Sequence, residues 1–306
     1  MKLRDLALLF LLAAMWGASF LFIRVAAPAL GPLALVDGRV LLAAAALLLY
    51  AAAIHDVPSL WARWKGYLLL GAVNAAIPFT LISVAELRLT ASLAAILNAT
   101  TPLFAALVAT VWLRERITAK RGLGLALGLV GVAVLVGWSP LRIDGPVLLA
   151  IAASLGGAIA YAVGGVYAAR GFKGAPPLAL SIGQQLGAGI LLLPLAATHL
   201  PTAPPAAGVV LAFLGLTLLA TSVGYLIYFR LIASVGPTKT LTVTILVPCF
   251  GLLWGALFLH EPVGPGTLAG LVIVLSSVAL VTGLRVPLPA RDPSRPSALA
   301  LPRTRD

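Results

Sequence analysis

The residues of this chain with chemistry to offer lie inside long apolar runs. Arg39 sits in one such run with Asp37 two residues before it; Arg24 and Glu86 fall near the ends of two others. An ionised group in apolar surroundings is expensive unless it is paired or hydrogen-bonded. Arg39 therefore has two readings: it contacts a solute, or it belongs to a structural ion cluster with Asp37, Arg24 and Glu86. Glu86, with Arg88 beside it, either carries a proton, a role open to Asp37 as well, or forms a surface pair of little energetic worth. Lys239 either faces an interior cavity as a fixed positive charge or snorkels to an interface.

Neutral groups add to the set. Asn74, Asn98, Thr101 and Gln184 also fall in apolar runs, where side-chain amides and hydroxyls either tie helices together or line a wet cavity. Trp16, Tyr161, Tyr167, Tyr225 and Tyr228 supply aromatic surface, either as cavity walls or as an interfacial belt. Of these, Trp16 and Tyr161 carry the most weight because they fall mid-run. Pro78, Pro102 and Pro248 lack an N–H and should interrupt or bend any helix that contains them. No catalytic constellation accompanies these residues. There is no Walker loop, no HExxH and no paired cysteine, and His55, His199 and His260 stand singly. The sequence thus offers no catalytic residue, no metal ligands and no cofactor motif, and reads as a non-enzyme.

The elements that hold these residues follow from composition. The 306 residues are 61% hydrophobic and 10% charged, with 30 glycines besides; soluble domains run at about 45–50% apolar with glycine included and about 25% charged. A soluble core cannot absorb that excess. Ten segments long and apolar enough to span a bilayer lie near 5–27, 33–53, 66–86, 91–113, 119–138, 145–169, 177–198, 207–229, 239–259 and 265–284. Gly and Pro pairs such as Gly31-Pro32, Pro176-Pro177 and Gly264-Pro265 punctuate them. The expected fold is an all-α membrane protein of ten transmembrane helices, followed by a basic, Pro-rich disordered tail over 286–306.

With the N-terminus cytoplasmic, sixteen Lys and Arg fall in inside segments or the tail and two, Arg88 and Arg142, in outside loops. This asymmetry puts both termini in the cytoplasm of a bacterial inner-membrane protein. It assigns the +12 net charge to topology and anionic lipid rather than to nucleic acid.

The runs also repeat. At an offset of 146, Pro102 falls on Pro248, Phe104 on Phe250, Leu113 on Leu259, Glu115 on Glu261 and Gly124 on Gly270. An offset of 145 aligns Trp16 with Tyr161, Pro32 with Pro177 and Arg39 with Gln184. The repeat unit is five spans, giving a first half over 1–138 and a second over 139–285. An odd unit inverts the second copy in the bilayer. Inverted repeats are the architecture of many secondary transporters, with the solute site near the midplane between the halves. Glu115 and Glu261 end the fourth and ninth spans, and we expect them to be structural, accepting from the N-termini of the fifth and tenth.

Several motifs carry a family resemblance. Trp16-Gly17-Ala18-Ser19-Phe20 with Arg24 and Arg39, the run from Ala94 through Asn98 and Pro102 to Phe104, and Leu113-Arg114-Glu115 return in the second half as Gly236-Pro237-Thr238, Pro248-x-Phe250-Gly251 and Phe258-Leu259-His260-Glu261-Pro262. In order, spacing and duplication the chain resembles the drug/metabolite transporter superfamily, EamA-type branch, over about 5–285. The resemblance implies two inverted five-helix repeats around a central cavity and carriage of small organic solutes. The expected function is alternating-access transport, in the export direction, of an amino acid or related amphipathic metabolite. An importer or exchanger of a phosphorylated metabolite or nucleotide sugar is the nearer alternative, but it needs several cavity cations. A non-transporting scaffold or receptor is the farther one. Gly124-x-x-x-Gly128 suggests a possible homodimer through the fifth span.

Overall fold

The computed structural model describes residues 1–113, 117–139 and 142–283, without the side chains of residues 113, 237 and 238. Glu115 and the 286–306 tail lie outside the described residues. Within them the chain is helical throughout and holds ten apolar helices: α1 Leu3–Leu30, α2 Pro32–Ala53, α3 Trp61–Ala85, α4 Ala91–Trp112, α5 Ala119–Gly137, α6 Gly145–Gly171, α7 Pro177–Ala197, α8 Ala207–Val235, α9 Val243–Leu259 and α10 Pro265–Thr282. Nine are 18 residues or longer, whereas α9 has 17. Large apolar side chains such as Leu49, Val111, Leu149 and Leu211 are exposed around the bundle, as a lipid-facing surface requires.

Helix starts are legible in local chemistry. Pro32, Pro146, Pro177 and Pro265 occupy first turns, where a missing N–H leaves no bond unmade. Thr90, Thr118 and Asp144 cap α4, α5 and α6 by accepting from the N–H groups of Leu93, Arg121 and Val147. Gly31, at φ 75°, turns the chain sharply between α1 and α2.

Four helices are irregular at matching places in the two halves. α3 widens to π turns over Ala72–Ala76 and α8 over Gly215–Val223. In α3, Pro78 offers no N–H to the Asn74 carbonyl, so an ordinary turn cannot close there. In α8, the hydroxyls of Thr221 and Ser222 donate to the carbonyls of Leu216 and Thr217 five residues back. α4 is interrupted at Ala99 and Thr100, just before Pro102; the Thr100 and Thr101 hydroxyls donate to the Leu97 and Asn98 carbonyls. The ninth span departs from its expected 239–259 extent. Gly236, at φ 84°, and Pro237 open a single helical turn, Pro237–Thr240, and α9 begins at Val243 after two residues of turn. Pro248 lies inside α9 without ending it.

Packing follows the repeat. α1 lies against α8 and α9, and α6 against α3 and α4; α2 pairs with α7 and α5 with α10; α3 packs on α7 and α8 on α2. Exchanging each helix of one half for its counterpart in the other reproduces this set of neighbours. The Gly124-x-x-x-Gly128 stripe is consumed within the chain: Gly124, Gly128 and Gly131 are buried against Val281, Ser277 and Val274 of α10. That stripe is therefore not the face through which a second copy would pair.

Candidate functional site

A cavity of about 300 Å³ lies where the halves meet, reached by α1 to α4 from the first half and by α6, α8 and α9 from the second. Arg39 of α2 is the only charged residue lining it among the described residues, and it is buried, 7% exposed. Its Nε donates to Thr221 Oγ1 of α8 at 2.9 Å, and its guanidinium carbon stands 3.7 Å from the Phe79 ring centroid of α3. A cation centred on an aromatic face is attracted by the ring quadrupole, more so where water is excluded. The terminal guanidinium nitrogens have no hydrogen-bond partner among the described residues.

Around Arg39 aromatic side chains form part of the wall. Tyr161 meets Phe79 edge to face at 6.0 Å between centroids; Trp16 meets Tyr225 edge to face at 6.3 Å and lies 5.4 Å from Tyr228. Gly224 makes room for Trp16, since a Cβ there would come within 2.8 Å of the indole nitrogen. Behind the wall runs a hydrogen-bonded chain. Asn74 Nδ2 donates to Gln184 Oε1 at 2.8 Å, and Gln184 Nε2 donates to the Tyr225 hydroxyl at 2.7 Å. This chain joins α3, α7 and α8 and fixes how Tyr225 is presented. Asn98, Thr101 and Pro102 around the break in α4, with Thr244 and Pro248 of α9, close the cavity.

Trp16, Arg39, Asn98, Thr101, Tyr161 and Tyr225 are thus gathered at one place, with Pro102 and Pro248. Asn74 and Gln184 stand behind the wall. Pro78 also lies off the cavity, its carbonyl oxygen facing Gly157 of α6. Lys239 does not join the site: it is exposed on the single turn before α9, because the break at Leu241 and Thr242 leaves it outside the helix. Of the structural ion cluster considered for Asp37, Arg39, Arg24 and Glu86, Arg24 and Arg39 lie within electrostatic reach of Glu86, but the four side chains make no hydrogen bonds to one another. Asp37 Oδ1 and both Glu86 carboxylate oxygens are buried without hydrogen-bond partners, and Arg24 donates to the Glu86 backbone carbonyl. Asp37 and Arg39, two residues apart on one helix, project in different directions.

Glu261 corrects another expectation. Its carboxylate accepts from the backbone N–H groups of Ala91 and Ser92 and from the Ser92 hydroxyl, so it caps α4 rather than α10. His260, left-handed at φ 53°, reverses the chain after α9 and aims Glu261 back across the bundle.

Sequence reasoning missed Phe79 and Thr221, the two residues that hold Arg39. The signal was present. Phe79 and Tyr225 share the offset of 146, and each touches the repeat-equivalent residue of the preceding span, Arg39 or Gln184.

Comparison with known proteins agrees with this architecture. The EamA-like transporter family matches residues 4–137 and again residues 148–283. The chain is 27% identical over 284 residues to a Bacillus subtilis (strain 168) protein named "Uncharacterized transporter YvbV", covering 92% of each chain. It is 25% identical over 286 residues to "Protein PecM" of Dickeya dadantii (strain 3937), again covering 92% of each. One solved crystal structure superposes with a TM-score of 0.64 at 17% identity, over 93% of this chain and 98% of that one, a likeness of fold alone. With ten apolar helices, a doubled unit and a family match to each copy, this chain belongs to the EamA-like transporter family of the drug/metabolite transporter superfamily.

Proposed function

We propose that this multi-pass membrane transporter is a secondary transporter, not an enzyme, which exports a small organic metabolite, an amino acid or related amphipathic compound, by alternating access. The observation that carries the reading is the cavity itself. It lies between the halves, is built from both, and holds a buried cation with several hydroxyl and amide groups. Five spans per repeat invert the second copy, and the exchange-symmetric packing supports two halves able to rock about that cavity. The interrupted α4, the turn before α9 and the widened α3 and α8 are where such rocking would be absorbed, since their main-chain bonds are already partly remade by side chains or turns. The basic segments and the bacterial relatives support an inner-membrane location with both termini cytoplasmic.

The experiment is flux. Purified protein in liposomes should show saturable, direction-resolved movement of at least one compound from a broad panel of amino acids and amphipaths; the complete absence of saturable flux would sink the proposal. For a transported compound, Trp16→Ala is expected to lower flux about tenfold through loss of an aromatic wall. Lys239→Ala should leave it unchanged, and equal loss from both variants would show that the cavity is not the route. The phosphorylated-metabolite alternative is disfavoured by the single cavity cation, and a scaffold has no need of the cavity.

A further inference from the structure

We infer that the cavity takes a solute bearing a single carboxylate on an apolar, ring-sized body, with the Arg39 guanidinium as the docking group. This rests on the transport reading of the cavity and narrows its cargo.

Arg39 is held for such a task. Its Nε is spent on Thr221, and the Thr221 hydroxyl hydrogen is itself committed to the Leu216 carbonyl. One face of the guanidinium lies on Phe79. What remains free is the edge carrying the terminal nitrogens, in a geometry that matches the two oxygens of a carboxylate. A buried cation is costly unless it is paired; Glu86 lies within electrostatic reach of Arg39 but makes no hydrogen bond to it, and the described lining offers no carboxylate to the free edge.

The second half explains why the charge is single. Gln184, the repeat equivalent of Arg39, is neutral, and its amide is engaged by Asn74 and Tyr225. The pseudo-symmetric pair is therefore one open cation and one closed amide. Arg24 is committed to a backbone carbonyl and Lys239 is exposed elsewhere, so a phosphate dianion would find one cation where it needs several. An organic cation would meet Arg39 with no acidic group in the described lining to receive it. Trp16, Tyr161 and Tyr225 receive the apolar body, and the volume of about 300 Å³ lies at the small end of ligand pockets.

The test uses one body with different head groups, measured by thermal shift and equilibrium binding on the purified full chain. The probes are 3-phenylpropionate, phenylalanine, 3-phenylpropionamide, 3-phenylpropylamine and phenethyl phosphate. The expected result is that 3-phenylpropionate or phenylalanine binds about tenfold or more tightly than the amide, the amine and the phosphate. The ranking of those two tells whether the physiological source is an amino acid or a plain carboxylic acid. Arg39→Gln should abolish the carboxylate's advantage over the amide, and Arg39→Lys should recover part of it. The proposal is overturned if the amide or amine binds as well as the carboxylates, if the phosphate binds best, if no probe binds, or if Arg39→Gln preserves the carboxylate-to-amide ratio. The head-group series on the wild-type chain decides the matter even if the variants fail to fold. Failure of the transport reading looks different: the carboxylate binds, but liposomes show no flux of it.

Discussion

Gly187→Ala is expected to abolish, or come close to abolishing, recovery of folded protein. α3 and α7 cross backbone against backbone. A Cβ at Gly187 would lie 2.3 Å from the Tyr67 carbonyl oxygen and 2.8 Å from its carbon; one at Gly71 would lie 2.4 Å from the Ala188 nitrogen. Overpacking a core costs about 1–3 kcal/mol where side chains can shift. Here the obstacle is main chain, which can yield only by separating the helices, so the cost should exceed about 3 kcal/mol, a large share of the roughly 5–15 kcal/mol that keeps a protein folded. Separation would also pull Asn74 from Gln184, so any surviving protein should bind solute poorly. Melting temperature and size-exclusion profile in detergent provide the check. Gly165→Ala is the control, because nothing lies within 4 Å of its absent Cβ; it should be neutral or slightly stabilising. Similar behaviour of the two variants would refute the close crossing.

The second large effect is expected at Glu261. Its carboxylate satisfies three donors at the start of α4, and hydrogen bonds to a charged group are worth about 1.5–3 kcal/mol each before non-additivity. The helix dipole adds to the attraction. Glu261→Ala should therefore cost on the order of 3 kcal/mol or more, and Glu261→Gln about half as much, since an amide oxygen still accepts but without charge. Because Glu261 ties the turn after α9 to the first half, hydrogen exchange should rise first at Ala91 to Leu93. If Ala at this position melts like the wild type, the cap contributes nothing. Gly255 belongs to the same arrangement: a Cβ there would sit 2.4 Å from the Glu261 carboxylate, so glycine is what lets the cap close.

These two sites mark where the sequence was readable and where it was not. The spans were readable because a bilayer demands about 20 apolar residues per crossing and because Pro and Gly mark their ends. The doubling was readable because Pro102 and Pro248, and Gly124 and Gly270, keep one register. Trp16, Arg39, Asn98, Tyr161 and Tyr225 could be singled out because polar or aromatic groups inside apolar spans need a reason. Their neighbours were not readable. Glu261 was assigned to the adjacent helix by proximity along the chain, whereas a left-handed residue at His260 sent it to α4. Lys239 was placed in a span that, in the folded chain, starts four residues later at Val243.

The sequence by itself therefore determined that this is a ten-span membrane protein made of a doubled five-span unit, and it supplied a short set of residues with chemistry to offer. Tertiary structure decided which of them meet. The reason is physical. A helix apolar on all sides, facing lipid on one flank and protein on the other, carries little periodicity to fix its rotation. Depth along the span can be read from the chain, but azimuth is set by packing. That packing put Phe79 and Thr221 onto Arg39 and closed Gln184 with Asn74 and Tyr225, leaving a single open cation in the cavity.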